Sequence, residues 1–244
     1  MTKLIGMIGG VSWESTALYY KLINQSVREK LGGLNSARIF IHSLNYGPIV
    51  EYERQGNWDA VTDILVEAAK KLEIVGCSFI ILGCNTLHKV SESIENAIQI
   101  PFLHIADAAA DILLHAKIKK VGLLGTQFTM EEGFYAKRLQ NKYGLEVIVP
   151  PSNDRKSIDN IIYNELCVGK LIEDSRFKLS AMMTSLVNAG AEGILLGCTE
   201  LGMLVQPNDS SVPIFDTTVL HAHYAVKLSL KERAPLKPPL LNPQ

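Results

Sequence analysis

The chain has 244 residues, 47% of them hydrophobic and 20% charged, and a formal net charge of −1. That is enough chain for a sizeable core and the balance of an ordinary globular protein. It lacks the basic field that nucleic acid or an acidic membrane surface would require, and no apolar run is long enough to cross a bilayer.

Short β-branched runs alternate with longer helical patterns from the start. "KLIGMIGG" (3–10) reads as a first strand ending in glycines, which is no secretory signal. A helix follows over 12–31, with Ser12, Ser15 or Thr16 as its N-cap. "SARIFIHSL" (36–44) is a second strand. Residues 52–58, "YERQGNW", read as a loop. An amphipathic helix over 59–76 stops at Gly76, and "SFIIL" (78–82) is a buried strand. A helix over 89–98 and a strand over 100–105 close this half. The pattern then restarts: a strand at 119–126, a helix at 130–144, the strand "LEVIVP", helices at 157–170 and 176–190, and strands at 193–197 and 212–216. A helix beginning "TTVLHAHY" ends the periodic part. Strands separated by helices pair in parallel, so the fold class is α/β. The last eleven residues hold four of the ten prolines and read as a loose tail.

The second half repeats the first. "GCSFIILGCNT" (76–86) matches "GAEGILLGCTE" (190–200) at one constant offset, so that Gly83 falls on Gly197 and Cys84 on Cys198. "KLIGMIGG" (3–10) matches "KKVGLLGT" (119–126) as well, at a slightly longer offset. The expected architecture is two similar lobes of parallel sheet flanked by helices, related by a pseudo-twofold, with an active site in the cleft between them. Lobe 1 is read as 1–100 plus about 213–233, lobe 2 as 101–212, and the tail as 234–244.

A single cysteine at a strand end is most often a small buried hydrophobe. Two at equivalent places in half-repeats are different. Each follows a glycine at the carboxyl end of a strand, where ligands bind in open α/β sheets. Polar residues follow at once: Asn85 and Thr86, and Thr199 and Glu200. A thiol titrates near 8.5, within reach of neutrality. One thiolate can remove a proton from a carbon while a thiol on the other face returns one, which inverts a stereocentre. The charge that develops on a neighbouring carboxylate needs preorganised donors, which backbone N–H groups, Asn85, Thr86 and Thr199 can supply.

"GLLGT", "LGCNT" and "GCTEL" at this spacing resemble the aspartate/glutamate racemase family, whose members work without pyridoxal phosphate. The opening "GGVSWESTALYYKLIN" looks like one bacterial branch of it, and the resemblance covers about residues 3–230. It implies Cys84 and Cys198 as the two bases. It implies that Asn85, Thr86 and Thr199 bind the substrate's α-carboxylate or ammonium, and that Glu200, Val11, Ser12 and Thr126 line the same cleft. Glu53 and Arg54, in the stretch 52–58, fall where family members reach toward the substrate. It further implies aspartate or glutamate as substrate, no cofactor and a homodimer; the cytoplasmic location is expected from the lack of a spanning run and of a secretory pattern. The alternatives are a broad-specificity racemase of neutral amino acids such as homoserine, or the hydantoin racemase, maleate isomerase and arylmalonate decarboxylase chemistries of the same superfamily. A small-molecule sensor without turnover is a third reading.

Two features depart from the family's pattern. Cys167 stands where some archaeal-type aspartate racemases place a lysine. Arg54 is the candidate for the arginine those enzymes use on a distal carboxylate.

Other motifs carry less. "GMIGG" lacks the full dinucleotide pattern and reads as a tight turn. His221 and His223 diverge on a helix, so no metal site is expected there. His88 either tunes Cys84 or lies at the surface, and His104 reads as a core histidine. Cys77 and Cys167 read as structural, and Trp13 and Trp58 as packing residues.

Overall fold

A computed structural model describes residues 2–230; the proline-rich tail at 234–244 lies outside them. The chain forms two compact units. One comprises the chain up to Ile105 and resumes at His221, and the other runs from Ala106 to Leu220.

The first unit is built on strands β1 (Ile5–Gly9), β2 (Ile39–Ser43), β3 (Phe79–Leu82) and β4 (Phe102–Leu103), all parallel in the order β2-β1-β3-β4. Helix α1 (Trp13–Leu31) follows β1, α2 (Tyr46–Arg54) and α3 (Trp58–Ile74) follow β2, and α4 (Ser91–Ala97) precedes β4. Alternation along the strands assigns the two faces. Ile5, Met7, Phe79 and Ile81 pack with Tyr19, Ile23 and Val27 of α1 and with Ala222, Ala225 and Val226. Ile8, Ile80 and Leu82 pack with Val61, Leu65, Ala68, Ala69 and Leu72 of α3. Those α3 positions recur at helical spacing, so the helix lays one apolar stripe on the sheet. Both faces are covered, which is why the central strands are apolar throughout.

The second unit repeats the plan. Strands β5 (Lys120–Gly125), β6 (Glu146–Ile148), β7 (Gly193–Gly197) and β8 (Ile214–Asp216) are parallel in the order β6-β5-β7-β8. The helices are α5 (Ile105–His115), α6 (Gln127–Glu131), α7 (Phe134–Tyr143), α8 (Ser152–Asn164), α9 (Glu173–Asn188) and α10 (Leu201–Leu204); α11 (Thr217–Ser229) starts here, and from His221 on it belongs to the first unit. One face of this sheet, with Leu124, Ile194 and Leu196, packs against Ile158, Ile161 and Ile162 of α8 and Leu179, Met183 and Leu186 of α9. The two sheets share one strand order, so the repeat read from sequence is a repeat of topology.

Three readings need correction. Residues 52–54 are not loop: Tyr52–Arg54 form the last turn of α2, whose N-cap Asn45 accepts the Gly47 N–H, leaving only 55–57 as connection. Pro48 within "NYGPIVEY" disguises that helix; it falls in the first turn, where its missing N–H costs nothing. Helix α5 is absent from the sequence reading although Asp107, Asp111 and His115, at i, i+4 and i+8, mark its polar side; the signal is only eleven residues long. The helix read over 130–144 is two, because Gly133 at φ 75° breaks it.

The candidate active site at two strand ends

In each sheet the chain leaves the two central strands in opposite directions, which creates a switch point at their carboxyl ends. In the first unit this point lies between β1 and β3, where Ile8 is in register with Leu82. The turn Gly9–Ser12 leaves one strand there and Gly83–Thr86 leaves the other. Gly10 sits at φ 79°, and a Cβ on it would fall 2.1 Å from the Leu44 carbonyl oxygen, so only glycine makes this turn. Ser12 caps α1 by accepting the Ser15 N–H at 3.3 Å. Thr16 accepts the Gly10 N–H at 2.7 Å and donates to the Ser12 carbonyl at 2.8 Å. Ser15 donates to the Gly83 carbonyl at 3.2 Å, tying the start of α1 to the turn that carries Cys84.

Cys84 is 7% exposed, and Val11, Ser12, Asn85 and Thr86 are buried around the same sheet edge. From Thr86 to Val90 the chain makes a 3-10 turn. It places His88 beneath Cys84. The His88 Nε2 accepts the Ile105 N–H at 3.2 Å, so its Nδ1 carries the proton and donates it to the Cys84 carbonyl at 2.6 Å. The imidazole thus joins the Cys84 turn to the chain after β4. His104 stacks 4.5 Å from it, and His221 lies at 6.0 Å. His221 is buried, bonded to Tyr19 Oη and the Leu103 carbonyl, each at 2.9 Å. Of the tryptophans, Trp13 is no packing residue: it is 70% exposed.

In the second unit the switch point lies between β5 and β7, where Gly125 is in register with Gly197. A Cβ on Gly125 would lie 2.8 Å from the Gly197 oxygen, and one on Gly197 would lie 3.1 Å from the Leu124 oxygen. Both glycines answer to that close approach. Thr126 caps α6 through the Thr129 N–H at 3.3 Å. Cys198 is 6% exposed, and Thr199 and Glu200 are buried beside it. The Cys198 thiol donates to Glu200 Oε2 at 3.1 Å, and the Thr199 hydroxyl donates to the same oxygen at 2.6 Å. Burial, then the Glu200 charge, then Cys167 push the thiol well above its usual range. Cys198 is therefore held as a thiol, a proton donor at rest.

Asp216 backs this group. Its Oδ1 accepts the Thr218 and Val219 N–H groups at 2.8 and 3.4 Å, which caps the start of α11. A Cβ on Gly202 would meet its Oδ2 at 1.9 Å, so the carboxyl reaches the helix that follows Glu200. Burial, helped by the Glu200 charge and opposed by the two N–H bonds, pushes it up to about 6.

The fold therefore gathers Val11, Ser12, Cys84, Asn85 and Thr86 at one strand-end edge and Thr126, Cys198, Thr199 and Glu200 at the other. Glu53 is buried on α2, and Arg54 is exposed. Sequence reasoning left His88 undecided; its spacing four residues past Cys84 is the signal that fits the bond made. It missed Asp216, whose signal is Asp-Thr-Thr directly before a helix. Among the described residues no group of three metal-ligating side chains occurs.

The Asp/Glu/hydantoin racemase family model matches residues 8–225, and the chain belongs to that family. The broad specificity amino-acid racemase RacX of Bacillus subtilis is 28% identical over 93% of this chain and 98% of its own length. A Yersinia pestis protein assigned to the Asp/Glu racemases is 46% identical, with a TM-score of 0.88 over 93% of this chain and 99% of its own. An aspartate racemase homologue from Pyrococcus horikoshii is 34% identical, with a TM-score of 0.81 over 94% and 100%. The resemblance read from the paired Gly-Cys motifs is thereby borne out.

Proposed function

We propose that this chain is a cofactor-independent amino-acid racemase in which Cys84 and Cys198 are the two proton carriers. The observation that supports it is the duplicated Gly-Cys at the same topological position of two sheets of the same order. Binding alone needs no second thiol there.

The Cys84 thiolate removes the α-proton. An S–H bond forms, the C–H bond breaks, and its electron pair passes onto the α-carboxylate as an enolate. The Cys198 thiol then delivers its proton to the opposite face of that carbon and leaves as thiolate. Inversion in the other sense exchanges the roles. Ser12, Asn85, Thr86 and Thr126, with the Thr199 backbone N–H, supply donors for the carboxylate, whose charge grows in the transition state. Glu200 serves the thiol: its carboxylate orients the S–H and keeps the proton on sulfur until the enolate calls for it.

Aspartate and glutamate are the first substrates to try. A second reading, racemisation of neutral amino acids such as homoserine, is favoured by the position of Arg54, the cation expected to meet a distal carboxylate, on the exposed side of α2. We further propose that the working form is a homodimer.

The test is loss of the α-proton signal by NMR in D2O with each L-amino acid, followed by chiral analysis. Exchange with growth of the D-form supports the reading. Loss of CO2 or a migrated double bond would replace it with decarboxylase or isomerase chemistry.

A further inference from the structure

The mechanism leaves one buried carboxyl without a task. Glu53, in the last turn of α2, is 1% exposed, and among the described residues none gives either of its oxygens a hydrogen bond. Burial pushes the carboxyl up to about 7, and the Arg54 charge beside it does not offset that. A glutamine or a leucine would be far cheaper to bury here. Two idle acceptor oxygens in such a place fit a donor that arrives with a ligand.

The fold says which ligand. Ile49 and Glu53 lie one helical turn apart and share the buried side of α2. Ile49 packs in the cluster that contains Val11, Cys84 and Leu87. The side of α2 that carries Glu53 thus belongs to the layer that holds the first thiol and its polar shell.

We propose that Glu53 determines specificity. Its carboxylate accepts a hydrogen bond from a hydroxyl, amide or amino group on the substrate's side chain, and it repels a side-chain carboxylate. This rests on the racemase reading and names the class within it: donor-bearing amino acids before aspartate and glutamate. A site that reads a donor rejects the isostere lacking one, because the buried acceptor is left unpaired. A group meant for the α-ammonium, common to every substrate, would work best fully ionised; one poised near neutrality suits a choice between neutral and acidic side chains.

The experiment compares α-proton exchange in D2O for glutamine against glutamate and asparagine against aspartate, with homoserine and lysine added. It uses the full chain and Glu53→Gln, at pH 6 and pH 8. The wild type should prefer amide over acid, and the kcat/KM ratio should rise from pH 6 to pH 8 as Glu53 ionises. In Glu53→Gln the ratio should fall about tenfold or more, mostly through KM, and lose its pH dependence. The wild-type pH arm stands even if the variant fails to fold. An equal loss for all substrates would assign Glu53 to the ammonium. An unmoved ratio, or exchange with the acids alone, would also overturn the inference while leaving the racemase reading intact. Absence of exchange with every amino acid would overturn both.

Discussion

The strands that end in Gly83-Cys84 and Gly197-Cys198 carry nearly the same residues, at matching places in matching sheets, and the protein supports them differently. Around Cys84 the support acts on the backbone: His88 holds its carbonyl and Ser15 holds the carbonyl before it. Around Cys198 the support acts on the sulfur: Glu200 takes the thiol proton in a hydrogen bond, and Asp216 lies behind. Duplication supplied two thiols, and the residues after them made the pair unequal. On the racemase reading, one carrier begins as acid and the other as base, and the two exchange places when the substrate's configuration is reversed.

The largest test of this comparison removes each sulfur. Cys84→Ser and Cys198→Ser should each lower kcat for racemisation by about a thousandfold, the usual scale for a lost acid–base group. A chiral assay checks it, and a single tolerant cysteine would end the two-base reading. Next comes Glu200→Gln. It removes the charge that adds to burial in holding the proton on Cys198, so the thiol should titrate lower. The pH–rate profile should move toward lower pH, with activity reduced about tenfold to a hundredfold; an unmoved profile would return Glu200 to substrate binding.

His88→Ala should act mainly on stability. It strands the Cys84 carbonyl and the Ile105 N–H in a buried place, at a cost of about 1–3 kcal/mol in urea unfolding. His88→Asn, which keeps a donor near the Nδ1 position, should lose less. The smallest effect is a slope in stability with pH. Glu53 and Asp216 are both raised above their unfolded values, to about 7 and about 6. Between the unfolded values and these, the folded state binds more protons. The stability they contribute is thus whole below about pH 4 and is lost as pH rises through 6 and then 7. Thermal melts from pH 5 to pH 8 should show the decline, and Glu53→Gln should flatten its upper part.

Much of this was legible in the residues. Strands β1, β3, β5 and β7 are continuous apolar runs closed by glycine, so their number, parallel pairing and strand-end cysteines follow from pattern. Helix α1 begins where Ser12 said it would. Two helices escaped: α2 carries a proline in its first turn, and α5 is short, its period carried by Asp107, Asp111 and His115 alone. Among the candidate site residues, Cys84, Asn85, Thr86, Cys198 and Thr199 were marked by repetition. His88 and Asp216 were not, because each acts through a carbonyl, an N–H or a carboxylate that only folding brings near.

The sequence by itself determined the class of fold, the duplication and the two thiols, because hydrophobic period and glycine placement are local and repeat visibly along the chain. Only the tertiary structure decided how each thiol is held. That depends on which side chains are buried together and which of them find partners. Glu200 finds the Cys198 thiol, two residues before it, and His88 finds the Ile105 N–H across the sheet edge. Glu53, one residue before an exposed arginine, is buried with no hydrogen-bond partner among the described residues. Burial and partnering are properties of packing, and no spacing of residue types along one chain encodes them.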